Sequence, residues 1–314
     1  MIIILEERNV NYGFAFFPGQ GAQAPGMGKD LYENSQAAKL VFEEASEGAG
    51  LDVAKLCFES DKATLSRTEN SQIAIFTHSM AAWAALKEAG VEFKAAAGFS
   101  LGEYTALAAA GVVSLADGVK IVSMRGKLMQ HAADTIDGGM AAILGLEDSV
   151  IEQACAKVTS GVVRPVNYNC PGQIVISGLK EAVETAAVKL KEAGARRVIP
   201  LNVSGPFHSY LLEEAGEKLG RFLENIPVSE PKIPYVANVT AAYVTKAEDV
   251  KPLLTRQVSS SVRWQQSVET MLADGVDRFI EIGPGKTLAG FIRKINREAT
   301  VINIEKFDDL EKLN

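Results

Sequence analysis

Three cysteines, three histidines and two tryptophans in 314 residues leave little room for several common chemistries. Cys57, Cys155 and Cys170 form no CxxC pair and are odd in number, which argues against a disulfide framework or a thiolate metal site and fits a reducing compartment. His78, His131 and His208 are too few and too scattered to predict a histidine metal centre. No apolar run approaches the ~20 residues that a membrane span requires. The N-terminal MIIILEERNVNYG has only a short apolar stretch, followed at once by Glu6 and Glu7, so no targeting segment is predicted. Basic excess is missing too: 32 Lys and Arg against 39 Asp and Glu give a net charge of −7, a poor match to a phosphate backbone. Internal repeats and low-complexity tracts are absent. The expectation is a soluble cytoplasmic protein that engages neither nucleic acid nor membrane; the sequence fixes no oligomeric state, and a monomer is the starting assumption.

What is present is the balance of a globular chain, 47% hydrophobic and 23% charged. At ~150 residues per domain, the length allows one large domain and a smaller one. Phe14–Phe17 is a short apolar run ending at Pro18-Gly19, which predicts a buried strand meeting a turn. Helical stretches follow, including Ser71–Ala89, then a small-residue strand over Ala95–Phe99 and helices over Leu101–Ala110 and Ala116–Ala133. From Gly138 to Val203 the pattern reads β-α-β-β-α-β, the ferredoxin-like order, with Arg197–Val203 as its closing strand. Strands near Tyr235–Val239, Arg278–Ile282 and Val301–Ile304 complete the large unit. The predicted fold is therefore α/β. A large α/β-hydrolase-like domain with a parallel sheet occupies residues 1–134 and 205–314, and a small ferredoxin-like domain is inserted at 135–204.

Gly98-Phe99-Ser100-Leu101-Gly102 fits GxSxG. The string alone is weak, but a small-residue strand before it and an Ala-rich helix after it are the context of a nucleophile elbow. The helix N-terminus would then offer backbone N–H groups and a positive dipole end to an oxyanion. An ordinary serine in a glycine-rich turn remains the alternative. A nucleophilic serine needs a base. His78 and His131 fall inside helices, whereas His208 follows a strand and the turn Ser204-Gly205-Pro206, so it is the candidate base. Gly19, Gly21 and Ala24 loosely fit a dinucleotide fingerprint. Pro25, Gly26 and Gly28 would break the helix that should receive the pyrophosphate, and no acidic strand end follows about 20 residues on. A loop whose N–H groups point into a site is the better reading.

Seven segments together resemble the malonyl-CoA:acyl carrier protein transacylase family: FPGQGAQ (17–23), GFSLGEYTAL (98–107), RGKLMQ (125–130), NYNCPGQIVISG (167–178), GPFHS (205–209), QVSSSVRW (257–264) and EIGPGKTLAG (281–290). The resemblance implies Ser100 as nucleophile, His208 as its base and Arg125 as the cation for the malonyl carboxylate. It also implies an oxyanion hole from the backbone N–H groups of Gln20 and Leu101, and the backbone carbonyl of Gln257 as the group orienting His208. Phe207 would lie where a 2-methyl branch on the acyl group points. The reaction implied is ping-pong transfer from malonyl-CoA to the pantetheine thiol of acyl carrier protein in fatty acid biosynthesis, with no cofactor and no metal. Malonyl loading for polyketide synthesis is the alternative pathway. Phe99 departs from the family, which usually has His there, and the first dozen residues extend beyond its usual start. A serine esterase or thioesterase would use the same pair with water as acceptor, but a guanidinium in the acyl pocket suits a carboxylate, not an apolar acyl chain. A catalytically silent scaffold for the carrier is the other rival. Lys286, Arg293, Lys294 and Arg297 are the candidate carrier-docking patch, with a solvated helix face as the plain alternative.

Overall fold

The computed structural model describes residues 11–203 and 205–313; most of the N-terminal extension and Ser204 lie outside the described residues. Ten strands are named in chain order: β1 Asn11–Phe17, β2 Glu92–Gly98, β3 Gly138–Leu144, β4 Val163–Cys170, β5 Gln173–Leu179, β6 Arg197–Pro200, β7 Tyr235–Val236, β8 Tyr243–Val244, β9 Arg278–Ile282 and β10 Thr300–Ile304. They form two sheets, one of order β10-β9-β1-β2-β7-β8 and one of order β4-β5-β3-β6. The first is parallel from β10 to β7, with β8 alone antiparallel. In the second every pair is antiparallel. The fold is thus mixed α/β, with a parallel sheet and a smaller ferredoxin-like βαββαβ unit, as the sequence pattern predicts.

Alternation along β1 explains why the large sheet is covered on both faces. Phe14 and Phe16 point to one side, where Phe16 stacks on Phe279 at 5.0 Å and meets Trp264 edge-on at 5.5 Å. Ala15 and Phe17 point to the other, against the helix Thr68–Glu88. That helix is buried on nearly all sides, from Ser71 through Ala82, so it reads as a core helix with no polar stripe. The small unit has a core of its own, built from Ile143, Ile151, Ile174, Ile176 and Leu190.

Two strands are shorter than the sequence pattern suggests. β6 ends at Pro200, whose ring nitrogen has no hydrogen for the ladder. β7 ends at Val236 because the chain turns at once into β8, with the Ala237 N–H on the Ala242 carbonyl and Ala241 at φ 55°. The two units join where the Tyr168 N–H meets the Val262 carbonyl (3.0 Å) and the Val262 N–H meets that of Val166 (2.7 Å). Nearby, the Arg164 guanidinium lies 4.8 Å from the Tyr210 ring centroid.

Candidate active site

In a parallel sheet all strands deliver their C-terminal ends to one edge. Here β1 and β2 run in register with Phe17 opposite Gly98, so the loop from Pro18 to Gln20 and the turn from Phe99 to Leu101 leave the sheet side by side. The Phe99 N–H bonds the Phe17 carbonyl at 3.0 Å. Gly98 and Gly102 permit this approach: a Cβ on Gly102 would lie 2.0 Å from the Phe17 carbonyl oxygen, and one on Gly98 1.9 Å from the backbone of Gly102. Between them Ser100 adopts φ 53°, ψ −103°, a left-handed conformation that a non-glycine residue holds only where its surroundings enforce it. The sharp elbow predicted from GxSxG is present, with the helix Leu101–Ala109 behind it. No helix starts in the Pro18–Gly28 loop before Lys29, which removes the dinucleotide reading.

Ser100 Oγ lies 2.7 Å from His208 Nε2. His208 Nδ1 lies 3.0 Å from the Gln257 carbonyl and 3.1 Å from that of Ser260. Carbonyls only accept, so Nδ1 carries the proton and Nε2 presents its lone pair to the serine hydroxyl. His208 is itself left-handed, at φ 61°, and buried. Burial, and next the charge of Arg125, push its pKa down to about 4, so the ring is neutral at pH 7 and ready to accept a proton.

Arg125, from the middle of the helix Leu115–Thr135, is 1% exposed. It donates from Nη2 to Ser100 Oγ (3.1 Å) and Gln257 Oε1 (3.2 Å), and from Nη1 to Gln72 Oε1 (2.8 Å). Its guanidinium sits 4.9 Å from the Tyr104 ring centroid. Nε has no partner, and among the described residues no carboxylate forms an ion pair with it. Gln20 projects its side chain to Thr68 Oγ1 (3.2 Å) and is three residues past β1, as Leu101 is three past β2. Phe207 is buried with its ring folded over Gly205. Phe99 is partly exposed, edge-on to Trp264 at 5.8 Å and 6.4 Å from Phe291. An open cleft of ≈ 680 Å³ between the end of the helix Leu115–Thr135 and β6 contains none of these side chains.

Five residues of this site are given no role in the sequence reading, Gln72, Asn238, Ser260, Tyr104 and Glu103, although the last three lie inside recognised segments. Asn238, just past β7, accepts the Ser100 N–H on Oδ1 (2.7 Å) and donates to the Gly98 carbonyl (2.6 Å), clamping both sides of the elbow. The acid of the EIGPG segment takes no part in this clamp. Glu281 accepts the Leu288 and Ala289 N–H groups and caps the helix Thr287–Ile295.

Residues 15–306 match the acyl transferase domain family. A malonyl CoA-acyl carrier protein transacylase of Bacillus subtilis is 45% identical over 297 residues, covering 94% of each chain. This chain belongs to the malonyl CoA-acyl carrier protein transacylase family. An acyl carrier protein S-malonyltransferase from Vibrio cholerae superposes with a TM-score of 0.94 at 41% identity, covering 97% of this chain and all of that one. A malonyl-transacylase solved in complex with its type II PKS acyl-carrier protein gives 0.93 at 38%, covering 96% and 99%. As a member of this family the chain is an acyltransferase. No described helix is long and apolar enough to cross a membrane.

Proposed function

We propose that this enzyme moves malonyl from malonyl-CoA to the pantetheine thiol of acyl carrier protein through a malonyl ester on Ser100. The observation that carries the substrate choice is Arg125. A buried guanidinium whose hydrogen-bond partners are all neutral, one of them the nucleophile oxygen itself, is placed to receive an anion at the acyl position. Malonyl supplies that carboxylate; acetyl and apolar acyl groups do not. His208 takes the Ser100 proton as Oγ attacks the thioester carbonyl, and the oxyanion forms between the backbone N–H groups of Gln20 and Leu101. Return of the proton to the sulfur releases coenzyme A, and the carrier thiol reverses the sequence. Phe207, adjacent to His208, excludes a 2-methyl branch. Residues 1–134 with 205–314 and residues 135–204 form the two domains in this reading, the smaller with a core of its own on one face of its sheet and Met140, Ala142, Val166 and Val175 packed into the core of the larger. The cytoplasm is the proposed location, and fatty acid synthesis the proposed pathway.

Intact-protein mass spectrometry tests this directly. Malonyl-CoA should add one malonyl group that persists in buffer and leaves on addition of holo-acyl carrier protein. Release of free malonate without an accumulating adduct would identify an esterase instead.

The carrier is the second substrate, and acyl carrier proteins are acidic as a class. Lys286, Arg293, Lys294 and Arg297 are all exposed, on or beside the helix Thr287–Ile295 that follows β9 at the active-site edge. Lys294 also reaches Gln173 of the small unit at 3.1 Å. Reversing charge at Arg293 and Lys294 is expected to raise KM for the carrier by about tenfold at low salt and to leave malonyl-CoA loading unchanged. Carrier kinetics that do not respond would place docking elsewhere.

A further inference from the structure

Glu103 lies three residues past the nucleophile on the helix Leu101–Ala109 and is fully buried; its backbone N–H meets the Ser100 carbonyl at 3.2 Å, but its side chain bonds neither Ser100 nor His208. Its Oε2 accepts two hydrogen bonds, from Gln257 Nε2 at 2.9 Å and from the Asn238 backbone N–H at 3.2 Å. These two partners hold the rest of the site. Asn238 grips the Ser100 N–H and the Gly98 carbonyl. Gln257 donates to the Ser100 carbonyl at 2.7 Å, accepts from Arg125 Nη2 and from the Tyr104 hydroxyl (3.2 Å each), and offers its main-chain carbonyl to His208 Nδ1.

We infer that Glu103 is a positioning residue for acyl transfer: one carboxylate oxygen fixes Asn238 and Gln257, and through them the Ser100 elbow, the His208 ring and Arg125. The inference rests on the acyl-transfer reading above. An amide side chain can present either end, and Gln257 stands between a donor-only group, Arg125, and an acceptor-only group, Glu103. That pairing allows one orientation, with Oε1 toward the guanidinium and Nε2 toward the carboxylate. Without an acceptor at 103, Nε2 keeps only the Ser100 carbonyl, the amide is held less tightly, Oε1 slackens against Arg125, and the Gln257 backbone loses a tie close to His208.

The requirement is for an acceptor oxygen at this reach, not for a charge. Glu103 Oε1 has no protein partner, and a proton there leaves both bonds to Oε2 in place. Burial raises the pKa of Glu103 to about 7, so the pocket already tolerates the neutral acid. Glu103→Gln keeps an acceptor in the same position, whereas Glu103→Asp keeps the charge and draws the oxygen back by one methylene.

The two variants therefore separate reach from charge and from mere stability. Each is measured below its melting temperature by the rate of fluorophosphonate labelling, which reports Ser100 activation with any acyl specificity removed, and by malonyl and acetyl loading per folded molecule. Glu103→Gln should stay within about threefold of wild type in all three, since an amide oxygen replaces a carboxylate oxygen at the same distance. Glu103→Asp should label about tenfold slower and load malonyl about thirtyfold slower, because both His208 and Arg125 lose their anchor, so the malonyl-to-acetyl ratio narrows about threefold. Should Glu103→Asp not fold, Gln257→Leu cuts the same link from the other end, together with the side-chain bonds to Ser100, Arg125 and Tyr104, while keeping the main-chain carbonyl, and must show losses at least as large. Glu103→Asp at wild-type rates, or Glu103→Gln as impaired as Glu103→Asp, overturns the inference. If the wild type labels with fluorophosphonate but takes up no malonyl group, the malonyl-transfer reading fails while the labelling series still decides the role of Glu103.

Discussion

His208→Ala is expected to lower malonyl loading by about 10⁴-fold, the upper end of what a positioned general base supplies. The 2.7 Å contact to Ser100 Oγ leaves no room for a water to act as intermediary, and among the described residues no other hydrogen-bonding group on that oxygen can take a proton. Arg125, its other partner, only donates. The pH profile of kcat/KM in the wild type gives an independent check. His208 is depressed to about 4 by burial and by the Arg125 charge, so its neutral form persists from pH 8 down to about 5. Activity should then fall as pH drops through about 4, because imidazolium has no lone pair on Nε2. Folding is affected in the same direction. The unfolded chain takes up a proton on this ring near its ordinary value of 6.5, and the folded one refuses it until lower pH. The contribution to stability is therefore full above 6.5 and is lost as pH falls toward 4. In the activity profile Glu103 adds no limb near 7, since its proton can sit on Oε1; in the stability profile its raised pKa acts in the opposite sense to His208, a contribution present below 4.5 being lost as pH rises toward 7. An acid limb at 6.5 would mean that the base is solvated and that the buried pair described here is not the working arrangement.

Arg125→Ala is expected to lower kcat/KM for malonyl-CoA by about 10²–10³-fold, the cost of breaking a buried charge pair at about 3–5 kcal/mol. Acetyl-CoA has no carboxylate to lose. Its transfer should fall by less than about tenfold, the share owed to the single Arg125 donation onto Ser100 Oγ. The variant therefore reverses the preference instead of abolishing turnover. Removing the cation also removes the second cause of His208 depression, so the acid limb should move up from about 4 in the same protein. In the same kinetic series Phe207→Ser should open the enzyme to methylmalonyl-CoA. Equal losses for malonyl and acetyl would make Arg125 structural and place the carboxylate elsewhere.

The residues that bear chemistry were readable in the chain because each comes with a local pattern. Ser100 sits between glycines at a strand-to-helix junction, and His208 follows a strand and a Gly-Pro turn. The two N–H groups proposed for the oxyanion came from the family resemblance; the register of β1 against β2 brings the turns that carry them side by side. Arg125 was different: on composition alone it is one arginine in an amphipathic helix, and only the RGKLMQ segment singled it out. Of the network behind these residues only one link was legible, the Gln257 carbonyl that the family resemblance put behind His208. Asn238 reaches Ser100 across 138 positions, and Gln257 reaches its carbonyl across 157. The side-chain roles of these neutral amides, Gln257 inside the recognised QVSSSVRW segment included, arise only when the tertiary fold brings them together. Glu103 lies inside the recognised GFSLGEY segment, yet its spacing from Ser100 says only that it faces the same side of a helix; that it meets Gln257 and Asn238 depends on helices and strands far away in sequence. Likewise the early end of β7 follows from the hairpin with β8, where two short apolar pairs flank a six-residue connection that no alternation marks.

The central claim is that Ser100 carries the acyl group, and peptide mapping after malonyl-CoA addition tests it most directly. The malonyl ester should appear on the peptide containing Gly98-Phe99-Ser100-Leu101-Gly102 at one equivalent per chain, should vanish when holo-acyl carrier protein is added, and should be absent from Ser100→Ala. An ester mapped to any other side chain, or an undiminished adduct in Ser100→Ala, would contradict the account.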